Sequence, residues 1–207
     1  MKLLLENWRK YLSEQRGGKL WVVAGPPAVG KSYLMKKIES LKIPNLIIQD
    51  MDYIPAVEAA TPSFNDLPPE QRDANHPKVI QLIKAASPKM NAAINDFIQN
   101  NTGKDMFLVG IAWLDPRLPF QFPTNAEKIY LYRDPAAVVQ AYLDRPRRTG
   151  DSPKTAELSA EDREAAEANV INDYKQYEAQ GWTKMSPEQI KQLVRSSYAE
   201  GADETPT

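Results

Sequence analysis

The stretch that decides the fold is LWVVAGPPAVGKSYLMKKIESL, residues 20–41. Its centre, from Gly25 to Ser32, has the spacing G-x-x-x-x-G-K-S, which is typical of a phosphate-binding loop (P-loop). Glycines at the two ends of the loop allow a tight turn whose N–H groups point inward, where a phosphate chain can lie against a helix N-terminus. An apolar β-type run precedes the loop and an amphipathic helical pattern follows it, which is the context that the motif requires.

The loop therefore predicts a nucleoside triphosphate site. In this motif Lys31 reaches the β- and γ-phosphates, and the hydroxyl of Ser32 ligates Mg²⁺, so ATP or another nucleoside triphosphate and Mg²⁺ are the expected cofactors. An ordinary turn followed by an ordinary lysine is the alternative. The candidate nucleotide-binding residues are Gly25, Pro26, Pro27, Ala28, Val29, Gly30, Lys31, Ser32 and Tyr33.

Composition places the chain among ordinary globular proteins. It has 207 residues, 42% apolar and 26% charged, with a net charge of -1, which suits a single domain and gives no support to general nucleic-acid binding. The absence of cysteine excludes disulfides, thiolate metal sites and cysteine nucleophiles, and favours a reducing, cytoplasmic location. His76 is the only histidine, so a histidine-cluster metal site is excluded. No apolar run approaches the roughly 20 residues of a transmembrane helix.

The two ends of the chain carry separate predictions. Residues 1–17 are predicted to form an amphipathic helix packed on the domain, and docking of a protein partner or a membrane surface is the alternative. A signal peptide is not predicted, because charges interrupt the apolar residues. The tail, residues 201–207, is predicted to be disordered.

Apolar runs and amphipathic patterns alternate along the remaining chain. Helix breaks are expected at Ser87-Pro88, because proline lacks the N–H that a helix interior needs, and capped helix starts are expected at Asp134, Ser159 and Ser186. This alternation predicts an α/β fold of three layers, with a parallel sheet of about five strands and helices on both faces. Strands are predicted over 20–24, 45–49, 106–113, 128–132 and 182–185, and helices over 33–41, 79–86, 89–100, 135–143, 159–180 and 190–198.

Two acids follow the second predicted strand. Asp50 and Asp52 would lie at the carboxyl edge of a parallel sheet, where open α/β sheets bind ligands. Phosphoryl transfer requires an oriented acceptor and neutralised charge, which two carboxylates beside a P-loop would supply. In the alternative interpretation both carboxylates only accept hydrogen bonds from backbone amides at a strand end.

With these motifs the sequence, over roughly residues 19–198, resembles the small P-loop kinases, the superfamily of shikimate kinase, gluconate kinase, the nucleoside monophosphate kinases and the 5′-polynucleotide kinases. The resemblance implies phosphoryl transfer from a Mg²⁺-bound nucleoside triphosphate to a hydroxyl or phosphate of a small molecule or nucleotide. It implies that one carboxylate helps to hold Mg²⁺ while the other orients or deprotonates the acceptor. Asp50 is the candidate metal ligand beside Ser32, and Asp52 the candidate acceptor contact.

The resemblance also implies a lid and an acceptor-binding region. The lid would be residues 145–158, where Arg145 has the helix-end position of a catalytic arginine and Arg147 and Arg148 would contact ATP. A solvated basic turn is the alternative. The acceptor-side insertion would be residues 53–104, in which Arg72 is the first candidate contact for an anionic acceptor or, alternatively, an exposed loop arginine.

Some residues depart from the family pattern. The third predicted strand ends in Val109-Gly110, with no acid after it, and Tyr142 stands where adenylate kinases carry their first lid arginine. Asp115 is either this acid, shifted along the chain from the end of the strand, or a turn residue. These differences disfavour a plain nucleoside monophosphate kinase, and leave two alternatives to a small-molecule kinase: a 5′-hydroxyl nucleic-acid kinase, and a non-catalytic ATP- or GTP-binding switch that docks a partner through its N-terminal helix.

Overall fold

The computed structural model describes residues 18–68, 71, 77–110, 122–144 and 159–199. Within these residues the chain forms five strands, six α-helices and one 3₁₀ turn at Met51–Tyr53. The strands are β1 (Leu20–Ala24), β2 (Ile47–Asp50), β3 (Met106–Val109), β4 (Ala126–Leu131) and β5 (Thr183–Met185). The helices are α1 (Lys31–Glu39), α2 (Pro55–Ala60), α3 (Pro77–Asn100), α4 (Pro135–Leu143), α5 (Ala160–Ala179) and α6 (Pro187–Ala199).

The sheet confirms the predicted α/β class. Its five strands are all parallel and lie in the order β2-β3-β1-β4-β5. All five residues of β1 are buried, because both of its neighbours are strands and helices cover both sheet faces. The loop that follows β1 therefore begins at the carboxyl edge, in the middle of the sheet.

Helices on the two faces close one continuous core. Helices α1 and α6 pack against each other, and so do α4 and α5, and α2 and α3. Leu34 and Ile38 of α1 belong to the same buried cluster as Ile94 of α3 and Tyr177 of α5. The described residues thus form a three-layer arrangement around the sheet.

The predicted break at Ser87-Pro88 is wrong. Helix α3 runs without interruption from Pro77 to Asn100 with Pro88 inside it, because apolar residues on both sides of the proline are buried. The hydroxyl of Ser87, the residue before the proline, donates to the carbonyl of Ile83 at 2.7 Å, one turn back in the same helix.

Helix α3 also joins two separate hydrophobic clusters. After Pro88 its buried residues belong to the main core, whereas Val79 and Ile83 form a small cluster with Phe64 and Leu67. We call this second group the small cluster. It lies within the predicted acceptor-side insertion, whose short helix α2 the sequence did not predict.

The predicted helix starts are confirmed in atomic detail. The Asp134 carboxylate accepts the N–H of Ala137 at 3.1 Å, and Ser159 Oγ accepts the N–H of Asp162 at 3.0 Å. At Ser186 a reciprocal capping box forms with Gln189. The predictions for residues 1–17, 145–158 and 201–207 lie outside the described residues.

Candidate active site

The loop after β1 packs tightly against the neighbouring strand. A Cβ atom added to Gly25 would lie 3.0 Å from Val29 Cγ1 and 3.3 Å from the carbonyl oxygen of Leu131. Glycine is needed here because no side chain fits between the loop and the end of β4. The loop is therefore held at the centre of the carboxyl edge.

Two residues of the loop have left-handed backbone conformations. Ala28 has φ of 64° and Gly30 has φ of 108°, while Val29 between them has no positive φ. Alternating backbone handedness is the pattern found in nests, where successive N–H groups face one concave side. Ala28 adopts the left-handed conformation despite the steric cost of its Cβ.

Some backbone N–H groups of the loop take part in its internal hydrogen bonds. Val29 N–H donates to the Pro26 carbonyl at 3.4 Å, and prolines 26 and 27 have no N–H. The first turn of α1, Lys31 to Tyr33, adds the N–H groups of a helix N-terminus.

Lys31 lies across the mouth of the loop. It is the first residue of α1, and its Nζ donates to the carbonyl oxygens of Gly25 at 2.7 Å and Pro26 at 3.1 Å. The ammonium group is half-buried beside the nest, so its positive charge adds to the partial positive charge of the α1 N-terminus. Both features favour an anion at this point.

Ser32 and Tyr33 occupy the exposed side of the first turn of α1. Ser32 is exposed, and the ring of Tyr33 is 58% exposed. Lys37 Nζ lies 4.9 Å from the centroid of this ring and forms an ion pair with Glu188 of α6. The hydrogen bond to Glu188 raises the pKa of Lys37, so the lysine remains charged against Tyr33.

Asp50 and Asp52 lie at the carboxyl edge, as predicted. Asp50 ends β2 opposite Val109 of β3, which in turn pairs with Val23 of β1. Asp50 Oδ1 accepts the N–H of Asp52 at 3.0 Å and caps the 3₁₀ turn. The capping interaction that we considered as the alternative therefore exists for Asp50, and it also fixes the direction of this carboxylate.

Gly110 makes room for the Asp50 carboxylate. It has φ of 121° and continues the β3 to β1 pairing by donating its N–H to Val23 O at 3.3 Å. A Cβ at Gly110 would lie well under 3.0 Å from Asp50 Oδ1, a separation that real Cβ atoms do not show. The Asp50 carboxylate consequently lies over the end of β3, one strand closer to the loop than its own strand.

The 3₁₀ turn after Asp50 ends in an exposed residue. Asp52 is half-buried within the 3₁₀ turn, and Tyr53 beside it is 59% exposed. Helix α2 follows at once, with Val57 in the main core. Arg72 and Asp115 lie outside the described residues.

Helices α4 and α5 form an antiparallel arm at the same edge. The Tyr174 hydroxyl donates to the carbonyl of Arg133 at 2.9 Å and accepts its N–H at 3.2 Å, which fixes α5 beside the end of β4. Burial raises the pKa of Tyr174 to about 12, so its hydroxyl keeps its proton. Further out, Arg163 donates to Gln140 at 3.2 Å.

The arm extends past the sheet. The residues of α5 before Val170 are half-buried or exposed, and the 11 positions from Arg163 to Tyr174 span about 16 Å of helix. Asp144 and Ser159, which flank the predicted lid, thus belong to the outer part of this arm. Arg145, Arg147 and Arg148 lie outside the described residues.

Sequence reasoning missed two features of this region. The space that Gly110 leaves for Asp50 depends on strand order, although a glycine directly after a buried strand was a visible signal. The Tyr174 contact with Arg133 joins residues 41 positions apart and had no local signal. Among the described residues, the candidate site residues at the carboxyl edge of the sheet are Gly25 to Tyr33, which follow β1, and Asp50 and Asp52, at the end of β2.

No protein-family model and no curated protein sequence matches this chain. Among the residues that the structure describes, no helix has the length and apolar character needed to cross a membrane. The residues and geometry of the carboxyl edge are therefore the basis for a functional proposal.

Proposed function

We propose that this protein is an ATP-dependent kinase of the P-loop type, which transfers the γ-phosphoryl group to a hydroxyl or phosphate of a small molecule or nucleotide. The observation that carries the proposal is the loop from Gly25 to Ser32. Two left-handed residues form a nest, a lysine ammonium lies at its mouth, and a helix N-terminus stands behind it. These three features favour the same ligand, a phosphate chain.

The residues at this edge fit Mg²⁺ as a partner of the nucleotide. In the described part of the chain no group of three or more His, Asp or Glu could hold a metal ion. Mg²⁺ in nucleotide sites is commonly held by one or two protein oxygens together with substrate phosphates. The Ser32 hydroxyl and the Asp50 carboxylate are the oxygens that would hold it, and the ion would neutralise charge on the β- and γ-phosphates.

In the proposed reaction Asp52 acts on the acceptor. Its carboxylate accepts the proton of the acceptor hydroxyl while a bond forms from that oxygen to the γ-phosphorus. The bond from the γ-phosphorus to the β–γ bridging oxygen breaks, and ADP leaves. Lys31 stabilises the charge that develops on the phosphate oxygens, and the arginines of the predicted lid are its proposed partners.

The half-buried position of Asp52 at the rim supports this assignment. Asp50 Oδ1 accepts a backbone N–H and lies against Gly110, whereas Asp52 lies within the 3₁₀ turn beside Tyr53, which is 59% exposed. The two carboxylates therefore have different surroundings, which suits two different roles.

The direct test is a transfer screen with γ-labelled ATP and Mg²⁺ against sugars, nucleosides, nucleotides and polynucleotide 5′ ends. We expect one acceptor class to receive label, and we expect Asp52→Asn to abolish transfer while retaining ATP binding. Lys36→Met, an exposed change on α1, is the matched control. Full activity in both Lys31→Ala and Asp52→Asn would refute these role assignments.

The same screen distinguishes the two alternative functions from a small-molecule kinase. Labelling confined to polynucleotide 5′ ends, with salt-sensitive binding of single strands, would identify a nucleic-acid kinase. Tight ATP binding with no acceptor-stimulated turnover would favour a nucleotide-dependent switch. Absence of ATP binding by the wild-type protein would overturn the whole proposal.

A further inference from the structure

Gly110, at the end of β3, lies against the carboxylate of Asp50 at the end of the neighbouring strand β2. Gly110 has no side chain, yet the space in front of its Cα is occupied, because Asp50 Oδ1 stands where a Cβ would be. The Met51 N–H group lies 3.3 Å from the same point. The carboxylate of β2 thus occupies the volume that a side chain of β3 would fill.

Two other glycines of the chain differ from Gly110 in this respect. Gly103 and Gly181 also have positive φ, of 84° and 74°, but a Cβ at either position would meet nothing within 4 Å. At these two positions the backbone conformation alone explains glycine. At Gly110 there are two reasons, the conformation and the neighbouring carboxylate.

We infer that Gly110 is a positioning residue of the candidate active site: by lacking a side chain it allows the Asp50 carboxylate to stand at the end of β3, one strand nearer to the proposed phosphate-binding loop than its own strand. The inference depends on the proposed function, since it explains how a metal-side carboxylate is supplied when the strand next to β1 has no acid. Any side chain at position 110 would push the carboxylate back toward its own strand. Neighbouring strands are about 4.8 Å apart, so the carboxylate would lose contact with a Mg²⁺ shared with the loop.

The test compares Gly110→Ala with Gly103→Ala and Asp50→Ala. ATP affinity is measured by calorimetry with and without Mg²⁺. We expect Gly110→Ala to lose about 10- to 100-fold of the Mg²⁺-dependent affinity, as Asp50→Ala does, since displaced metal-side groups typically cost this much. Binding without Mg²⁺ should change little, and Gly103→Ala should bind like wild type in both conditions.

A double variant distinguishes displacement from backbone strain. If Gly110 acts through Asp50, the change Gly110→Ala should cost no further Mg²⁺-dependent affinity in an Asp50→Ala background. Additive losses would overturn the inference, and so would a Gly110→Ala protein that binds MgATP like Gly103→Ala.

A second readout keeps this inference separate from the proposed function. The same double-mutant cycle is measured by urea unfolding of the protein without nucleotide. Because Asp50 and Gly110 are adjacent in the free protein, Gly110→Ala should destabilise wild type more than it destabilises Asp50→Ala. If the wild-type protein binds no ATP but this coupling is found, the kinase proposal fails while the positioning of Asp50 stands. If the coupling is zero, the positioning fails whatever the protein binds.

Discussion

Replacing Lys31 by methionine tests the central element of the site, because methionine keeps most of the aliphatic stem and removes the ammonium group. In the free protein the change deletes hydrogen bonds to the carbonyls of Gly25 and Pro26, at 2.7 and 3.1 Å. Since the lysine is only half-buried and its bonds are screened by water, we expect a cost of about 1 kcal/mol. For a chain of this length that is a fall in Tm of about 2–4 °C.

The effect on nucleotide binding should be larger and should depend on phosphate number. A charged hydrogen bond contributes about 1.5–3 kcal/mol, but Lys31 exchanges carbonyl partners for phosphate oxygens, so part of that gain is offset. We expect Lys31→Met to lower the affinity for ATP and ADP by about 10- to 100-fold. The affinity for AMP should be almost unchanged, because the lysine of this motif reaches the β- and γ-phosphates.

Calorimetric titration with ATP, ADP and AMP measures these affinities. Lys36→Met is the control, because Lys36 is an exposed lysine on the same helix. Equal weakening of ATP and AMP would show that Lys31 supports the loop rather than binding phosphate. Unchanged ATP affinity would refute the assignment of the nest as the phosphate site.

Three further predictions address the loop, a helix start and the alkaline limit of stability. Gly30→Ala and Gly103→Ala should each lose about 1–2 kcal/mol of unfolding free energy, since both glycines have positive φ and open space around them. Only Gly30→Ala should lower the affinity for ATP. Equal ATP affinities of the two variants would contradict the proposed nest. Asp134→Ala removes the cap of α4 and should lower the free energy of unfolding by about 1 kcal/mol. Asp134→Ser should retain most of the stabilisation by the cap, and thermal unfolding of the two variants measures the difference. Tyr174 has a pKa raised by burial from 10.0 to about 12, so its contribution to stability is complete below pH 10 and is lost as pH rises toward 12. Urea unfolding across that interval should show a shallower decline for Tyr174→Phe than for wild type, and identical slopes would contradict a buried, protonated hydroxyl.

The strands and helix starts could be predicted because their causes are local. Fully apolar runs such as Leu20–Ala24 have few alternatives to a buried strand, and Asp134 and Ser159 cap helices through bonds to residues three positions ahead. The spacing of the loop's glycines and lysine is also a local pattern, and its phosphate-binding role stays a prediction.

Features that depend on strand order could not be predicted in the same way. The sequence places β2 next after β1, but the sheet inserts β3 between them, and only this order brings Gly110 beside Asp50. The break expected at Pro88 failed for a related reason, because burial of the helix on both sides outweighed the missing donor. Local rules therefore located the chemical groups, while tertiary packing decided which of them meet.

Helix α3 also has a consequence for how the molecule opens. Its residues after Pro88 share the main core with the sheet, while the small cluster of Val79 and Ile83 contains few apolar residues within the described part of the chain. Local opening is easiest where few apolar contacts are lost. Hydrogen exchange of amides along this one helix should consequently divide at Pro88, with amides before it exchanging through local opening and amides near Ile94 exchanging only when the whole protein unfolds.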